Sequence, residues 1–249
     1  MEYDPTRKAI AEFIGTFTFV FAVCMSIAVG GQVAGIFGAA VTQGLALGIM
    51  VSALGHISGA HFNPAVTLGA LVTRKIEPAL AVIYWLAQFA AAVAAALVVK
   101  ALLPTALDQA LGAPALALET VAWQGVLIEA VLTFFLVWVV FATAVDPRGT
   151  FSAIAGLGIG LIVTVDILLA GPLTGAAMNP ARAFGPELVQ GGAWSDAWIY
   201  YIGPFAGGVI AAVLYTMLYL PNEDEPDAAP SSAEQLDNEV IIPPGAEAE

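Results

Sequence analysis

Gly55-His56-Ile57-Ser58-Gly59-Ala60-His61-Phe62-Asn63-Pro64-Ala65-Val66-Thr67 is answered 116 positions later by a second stretch that carries Gly171, Gly175, Ala176 and Asn179-Pro180-Ala181-Arg182. The same offset lays Gly44 on Gly160, Leu45 on Leu161, Gly69 on Gly185, Tyr84 on Tyr200 and Phe89 on Phe205, and with a slip of one residue it pairs Glu12 with Glu129. Glycines and motifs coinciding at one spacing mark an internal duplication. After each Asn-Pro-Ala, about ten small or apolar residues run before Thr73-Arg74-Lys75 or Gly191-Gly192, which is about 15 Å of helix and half of a membrane crossing. Asn caps helices, and proline at the first helical position gives up only an N–H that would be orphaned anyway. The pattern predicts two half-helices that start at the midplane, enter from opposite faces and together complete a broken seventh span. Their positive dipole ends then face the membrane centre.

The rest of the chain supplies the membrane. Of 249 residues, 59% are hydrophobic and 11% charged, against about 25% charged in soluble domains. Apolar runs long enough to cross lie near 9–29, 35–57, 79–99, 121–145, 152–170 and 197–220, six spanning helices in all. Each half holds three spans, an odd number, so the second half enters from the other side and the repeat is inverted. Arg7, Lys8, Arg74, Lys75 and Arg148 fall on the side of both termini, with Lys100 opposite, which places the termini in the cytoplasm. The organisation expected is an all-α membrane protein. Residues 1–8 form a cytoplasmic N-terminus, 9–110 the first repeat, 111–220 the second, inverted repeat, and 221–249 an acidic, disordered cytoplasmic tail.

Charge and cysteine content remove other classes. Seven Lys and Arg against 20 Asp and Glu, a net charge of -13, cannot build a basic nucleic-acid surface. A lone Cys24 with only His56 and His61 makes no disulfide framework and no structural zinc site, and no metal or other cofactor is implied. No nucleophile, base and metal set occurs at membrane depth, so an enzyme is not expected.

With these motifs the chain resembles the aquaporin or major intrinsic protein family. The resemblance is carried by Ala11-Glu12-Phe13-Ile14-Gly15-Thr16-Phe17, by both Asn-Pro-Ala stretches, by Ala183-Phe184-Gly185-Pro186 and by Trp198-Ile199-Tyr200-Tyr201-Ile202-Gly203-Pro204-Phe205, over about residues 9–220. It implies a passive pore for water in which Asn63 and Asn179 hold the central water through amide donors, while paired dipoles oppose cations and hydronium. It also implies that Arg182 lines the outer constriction and that the buried acids Glu12 and Glu129 accept hydrogen bonds from the nonhelical segments. His61 is placed in the cytoplasmic approach, and the particle is expected to be a homotetramer in the cell membrane. Gly44, Gly48, Gly156, Gly158 and Gly160 are candidates for close helix contacts there.

The family's filter positions, carried over by spacing from the two asparagines, are Gln43, Ile167, Ala176 and Arg182. An aliphatic wall, a methyl group and a flexible amide resemble the vacuolar-type plant channels of the family more than strict water channels or glycerol facilitators. They imply leakage of ammonia, hydrogen peroxide and urea with water. Ala183 after the arginine and the pair Tyr200-Tyr201 weigh against the glycerol subtype, whereas Glu187 departs from the water-channel pattern. Asp166, an acid in the fifth span, is expected to face Arg182, a wet vestibule or a subunit contact. The alternatives are a glycerol facilitator of the same family and, from another class, an inverted-repeat secondary transporter with coupled, saturable uptake.

Overall fold

A computed structural model of the chain describes residues 3–30, 34–148, 154–192 and 194–220. Eight α-helices and no strand occur among them: α1 Pro5–Gly30, α2 Gly35–Ser58, α3 Pro64–Val72, α4 Pro78–Leu102, α5 Ala122–Val140, α6 Ala155–Thr174, α7 Pro180–Gln190 and α8 Ile199–Tyr219. Six are long and apolar enough to cross a bilayer. The other two, α3 with nine residues and α7 with 11, are the half-helices. The tail read as disordered, 221–249, lies outside the described residues.

Span ends differ from the sequence reading where caps and prolines act. The first helix begins at Pro5 because Asp4 caps it, its Oδ1 accepting the Arg7 N–H at 3.0 Å, an arrangement that starts helices well. The fifth span was expected to stop near 170, before Gly171 and Pro172. It continues to Thr174 with Pro172 inside it and ends on left-handed Gly175, as α2 ends on Gly59. Transmembrane helices tolerate an internal proline when neighbouring groups re-satisfy the backbone. A π-helical turn, Phe141–Val145, prolongs α5. The boundary set between residues 110 and 111 falls inside a 3-10 helix, Pro104–Gly112, so the connection between halves is itself structured.

Packing repeats with the sequence. α1 packs on α2 and α4 as α5 packs on α6 and α8; α7 lies on α4 as α3 lies on α8; and α2 crosses α6 on the axis relating the halves. At that crossing a Cβ on Gly160 would collide with the Gly44 carbonyl and press on Gly48, so only glycine allows the backbones this close. Gly44, Gly48, Gly156 and Gly160 thus serve contact within one subunit, which corrects their reading as support for a tetramer. A Cβ on Gly158 would meet Val139 and Thr143 only at ordinary contact distance, 3.8 Å. The outward faces carry Leu86, Ile49 and Met217, as lipid-facing surfaces do. Glu12, Gln88, Glu129 and Asp166 are wholly buried.

Candidate functional site

Residues 59–63 and 175–179 join the long helices α2 and α6 to the half-helices. After Gly59 and Gly175 (φ 85° and 83°), Ala60 and Phe62 in one loop and Ala176 and Met178 in the other take φ of 50°, 48°, 43° and 52°. Left-handed backbone costs a non-glycine residue about 1–2 kcal/mol and persists only where surroundings over-determine it. Here they do. Glu12 accepts the Ser58 hydroxyl at 2.7 Å, the His61 and Phe62 N–H groups at 2.9 and 2.7 Å, and the Gln88 amide at 2.8 Å. Glu129 accepts the Thr174 hydroxyl at 2.7 Å and the Ala177 and Met178 N–H groups at 2.9 and 2.7 Å. The Tyr84 and Tyr200 hydroxyls donate to the Ser58 and Thr174 carbonyls.

With the loop N–H groups turned toward the acids, the Phe62 and Met178 carbonyls reach across the midplane. Asn63 Nδ2 donates to Met178 O at 2.8 Å and Asn179 Nδ2 to Phe62 O at 2.9 Å, so each half-helix holds the other half's loop. The Asn63 Oδ1 caps α3 by accepting from Ala65 N, and the Asn179 Oδ1 caps α7 by accepting from Ala181 N and Arg182 N. Pro64 and Pro180 occupy the first helical positions, and Ala65 and Ala181 are fully buried behind them.

Both asparagines line a cavity of about 20 Å³ whose other walls include Val51, Val66, Ile159, Val163 and His61. That volume holds about one water, and an amide carries two N–H groups, one of them still available to it. Wider cavities flank it. One of about 430 Å³ is reached past His61. The other, of about 410 Å³, is walled by Gln43, Ile167 and Arg182, one helical turn beyond Val163 and Asn179.

Three of the four filter residues named from sequence therefore share one wall. Ala176, 1% exposed, is not among the residues that line this cavity, whereas its neighbour Gly175 is. Arg182, 2% exposed, donates from Nη1 to the Gly112 carbonyl at 2.9 Å. The Gln43 amide donates to Ser26 Oγ at 3.1 Å. Gly112, Ala113 and Pro114, which complete this wall, were not singled out from sequence, because no repeated motif marks them; the left-handed φ of 75° at Gly112 is their one local signature. The His61 ring pairs through Nδ1 with Thr67 Oγ1 at 3.0 Å and meets Tyr84 edge-on.

Asp166 is buried within the chain, and neither carboxylate oxygen has a partner among the described residues. Burial rules out the open vestibule and the subunit contact, and the Arg182 guanidinium is directed to Gly112 rather than to this acid. Glu187 accepts from Gln190 and lines a separate outer cavity of about 260 Å³ with Asp196 and Tyr201. Among the described residues no three His, Cys, Asp or Glu side chains gather as metal ligands would.

Comparison with known proteins agrees with this geometry. The family described as Major intrinsic protein matches residues 2–215. The chain is 43% identical over 241 residues to "Probable aquaporin TIP3-2" of Arabidopsis thaliana, covering 90% of this chain and 87% of that one. It is 42% identical over 238 residues to "Aquaporin TIP1-2" of Zea mays, covering 91% and 92%. The solved aquaglyceroporin of Plasmodium falciparum superposes with a TM-score of 0.78 at 22% identity, over 86% of this chain and 97% of that one, a likeness of fold. An inverted duplication with two capped half-helices, matched along nearly its whole length by relatives above 40% identity, places this chain in the major intrinsic protein family of membrane channels.

Proposed function

We propose that the chain is a passive channel for water and for small neutral solutes such as ammonia, hydrogen peroxide and urea, excluding protons and ions and performing no enzymatic step. It works as a homotetramer with one pore per subunit, in the cell membrane, with both termini cytoplasmic. The observation that carries the reading is the Asn63–Asn179 pair: two neutral amides, fixed by reciprocal bonds across the midplane, at a cavity with room for about one water. A water there accepts from amide donors at two positive helix ends and is turned away from passing a proton along a chain of waters. Arg182 adds a fixed positive charge at the wider cavity, and Gln43 and Ile167, which line the same cavity, make it more aliphatic than aromatic. The "TIP" relatives are named aquaporins, which supports water as the principal solute.

Stopped-flow light scattering on proteoliposomes under water, urea and glycerol gradients tests this. Fast, linear, uncoupled water flux without a proton or sodium current is expected. Saturable, gradient-coupled uptake would replace the channel with a transporter, and glycerol flux rivalling that of water would move the chain to the glycerol subtype. A monodisperse monomer that keeps full activity in mild detergent would overturn the tetramer.

A further inference from the structure

Among the described residues that wall the cavity of about 410 Å³, Gln43 and Arg182 carry the only polar side chains, set among glycine, alanine, isoleucine and proline. A guanidinium donates hydrogen bonds and accepts none, and Arg182 already gives one N–H to the Gly112 carbonyl. Any side-chain acceptor that this wall offers to a solute is therefore the carbonyl oxygen of Gln43. The two ends of its amide have opposite chemistry, two donors on the nitrogen and an acceptor on the oxygen. Which end meets the solute decides whether the wall donates only, or donates and accepts.

Ser26 makes that choice without lining the cavity itself. It is a buried residue of α1, and its hydroxyl carries a single hydrogen, which goes to the Val23 carbonyl of the same helix at 3.0 Å. Its oxygen is left to accept, and the group it accepts from is the Gln43 amide nitrogen at 3.1 Å. With the nitrogen drawn to α1, the oxygen is the end left for the cavity. The fold does not require this pair, as the duplication shows. With the slip of one residue the place of Ser26 in the second half is Thr143, and the place of Gln43 is Ile159. Thr143 donates to the Val139 carbonyl of its own segment as Ser26 does, but no amide answers it, and Ile159 lines the small cavity at the asparagines. The hydroxyl and amide pair thus occurs in one half, at the mouth that holds Arg182.

We propose that Ser26 is a positioning residue of this filter, which holds the Gln43 amide with its carbonyl oxygen toward the solute. The inference rests on the channel function proposed above and names the class of solute that the outer mouth favours. Small neutral amides such as urea bring N–H donors for the Gln43 oxygen and a carbonyl oxygen for the Arg182 guanidinium. An amide free to turn presents its nitrogen part of the time, and beside a cation a wall of donors leaves the N–H groups of the solute unpaired where water is scarce, which is costly.

The test reads urea and water permeability of the full chain in proteoliposomes by stopped-flow light scattering and takes their ratio. Ser26→Ala is expected to lower the urea-to-water ratio about two- to tenfold, the range that one neutral hydrogen bond covers, while Ser26→Thr, which keeps the hydroxyl, stays near the unaltered chain. Gln43→Met should lower the ratio at least as far, and Ser26→Ala added to it should lower it no further, because the serine acts through the amide. Should Ser26→Ala not fold, Ser26→Cys, whose sulfur is only a weak acceptor, is read in its place. An unchanged ratio in the alanine variant overturns the proposal, as does a threonine variant as low as the alanine one, or a further fall in the double variant; rapid water flux in those cases leaves the channel standing. Absence of water flux in every form, the unaltered chain included, overturns the channel and this inference together.

Discussion

Glu12 in the first half accepts four hydrogen bonds, and Glu129 in the second accepts three. The extra donor is the Gln88 amide, and the residue at that place in the second half is Pro204. The loops themselves are near copies, with a glycine and two further residues at positive φ in each, a tyrosine on the same carbonyl and a capping asparagine. Around them the halves part company: at the repeat offset His61 corresponds to Ala177, Val66 to Arg182, Thr67 to Ala183 and Met50 to Asp166. What is duplicated is what a strained loop at the midplane needs in order to exist. What is single gives the two mouths of the pore different chemistry.

Removing the acids should have the largest effect. A buried donor left without its acceptor costs roughly 1–3 kcal/mol. Glu12→Ala strands four and Glu129→Ala three, so both lose most of their stability to denaturant in detergent, and Glu12→Ala loses more by about one donor. Equal losses would show that the Gln88 bond adds nothing to the first half.

Arg182→Val gives the second half the residue of the first. A unit charge at close range near a protein surface is worth about 4 kcal/mol. Its removal should therefore raise proton or sodium permeability on the order of tenfold or more, read with a pH-sensitive dye in proteoliposomes. A folded variant with unchanged leak would take Arg182 out of the constriction.

A smaller change is expected from Ile167→His with Gln43→Phe, which should lower urea and ammonia flux severalfold relative to water. An unchanged ratio would move the narrowest point toward His61. The variant also forfeits the Gln43–Ser26 bond, worth about 0.5–1.5 kcal/mol.

The smallest effect belongs to Asp146, whose place at the repeat offset is Gly30. The hydrogen bond from Arg148 holds its carboxyl below the usual carboxylate range, helped by Tyr215. A depressed folded-state value means that this contribution is complete above the ordinary carboxylate value of about 3.9 and is lost as pH falls through the lowered one. Asp146→Asn should flatten the acid limb of the melting temperature below about pH 4; a limb of unchanged steepness would assign the acid sensitivity to other carboxyls.

Sequence alone determined the spans, the inversion and the half-helices, because each follows from local rules: apolar length, an odd count per half, and Asn-Pro at a helix start. It also paired Glu12 with Glu129, since the duplication survives at those positions. Only the tertiary structure decided that Pro172 stays inside α6, because neighbouring groups rather than local propensity determine whether a membrane helix carries a proline. It alone showed that Gly175 rather than Ala176 lines the cavity beside Arg182, that Gly112 brings its carbonyl to Arg182, and that the glycines of α2 and α6 meet each other. The Arg182–Gly112 contact joins residues 70 positions apart with no shared motif, and where the repeat-related Gly44 and Gly160 meet is likewise set by how the helices cross, which periodicity along one helix does not encode.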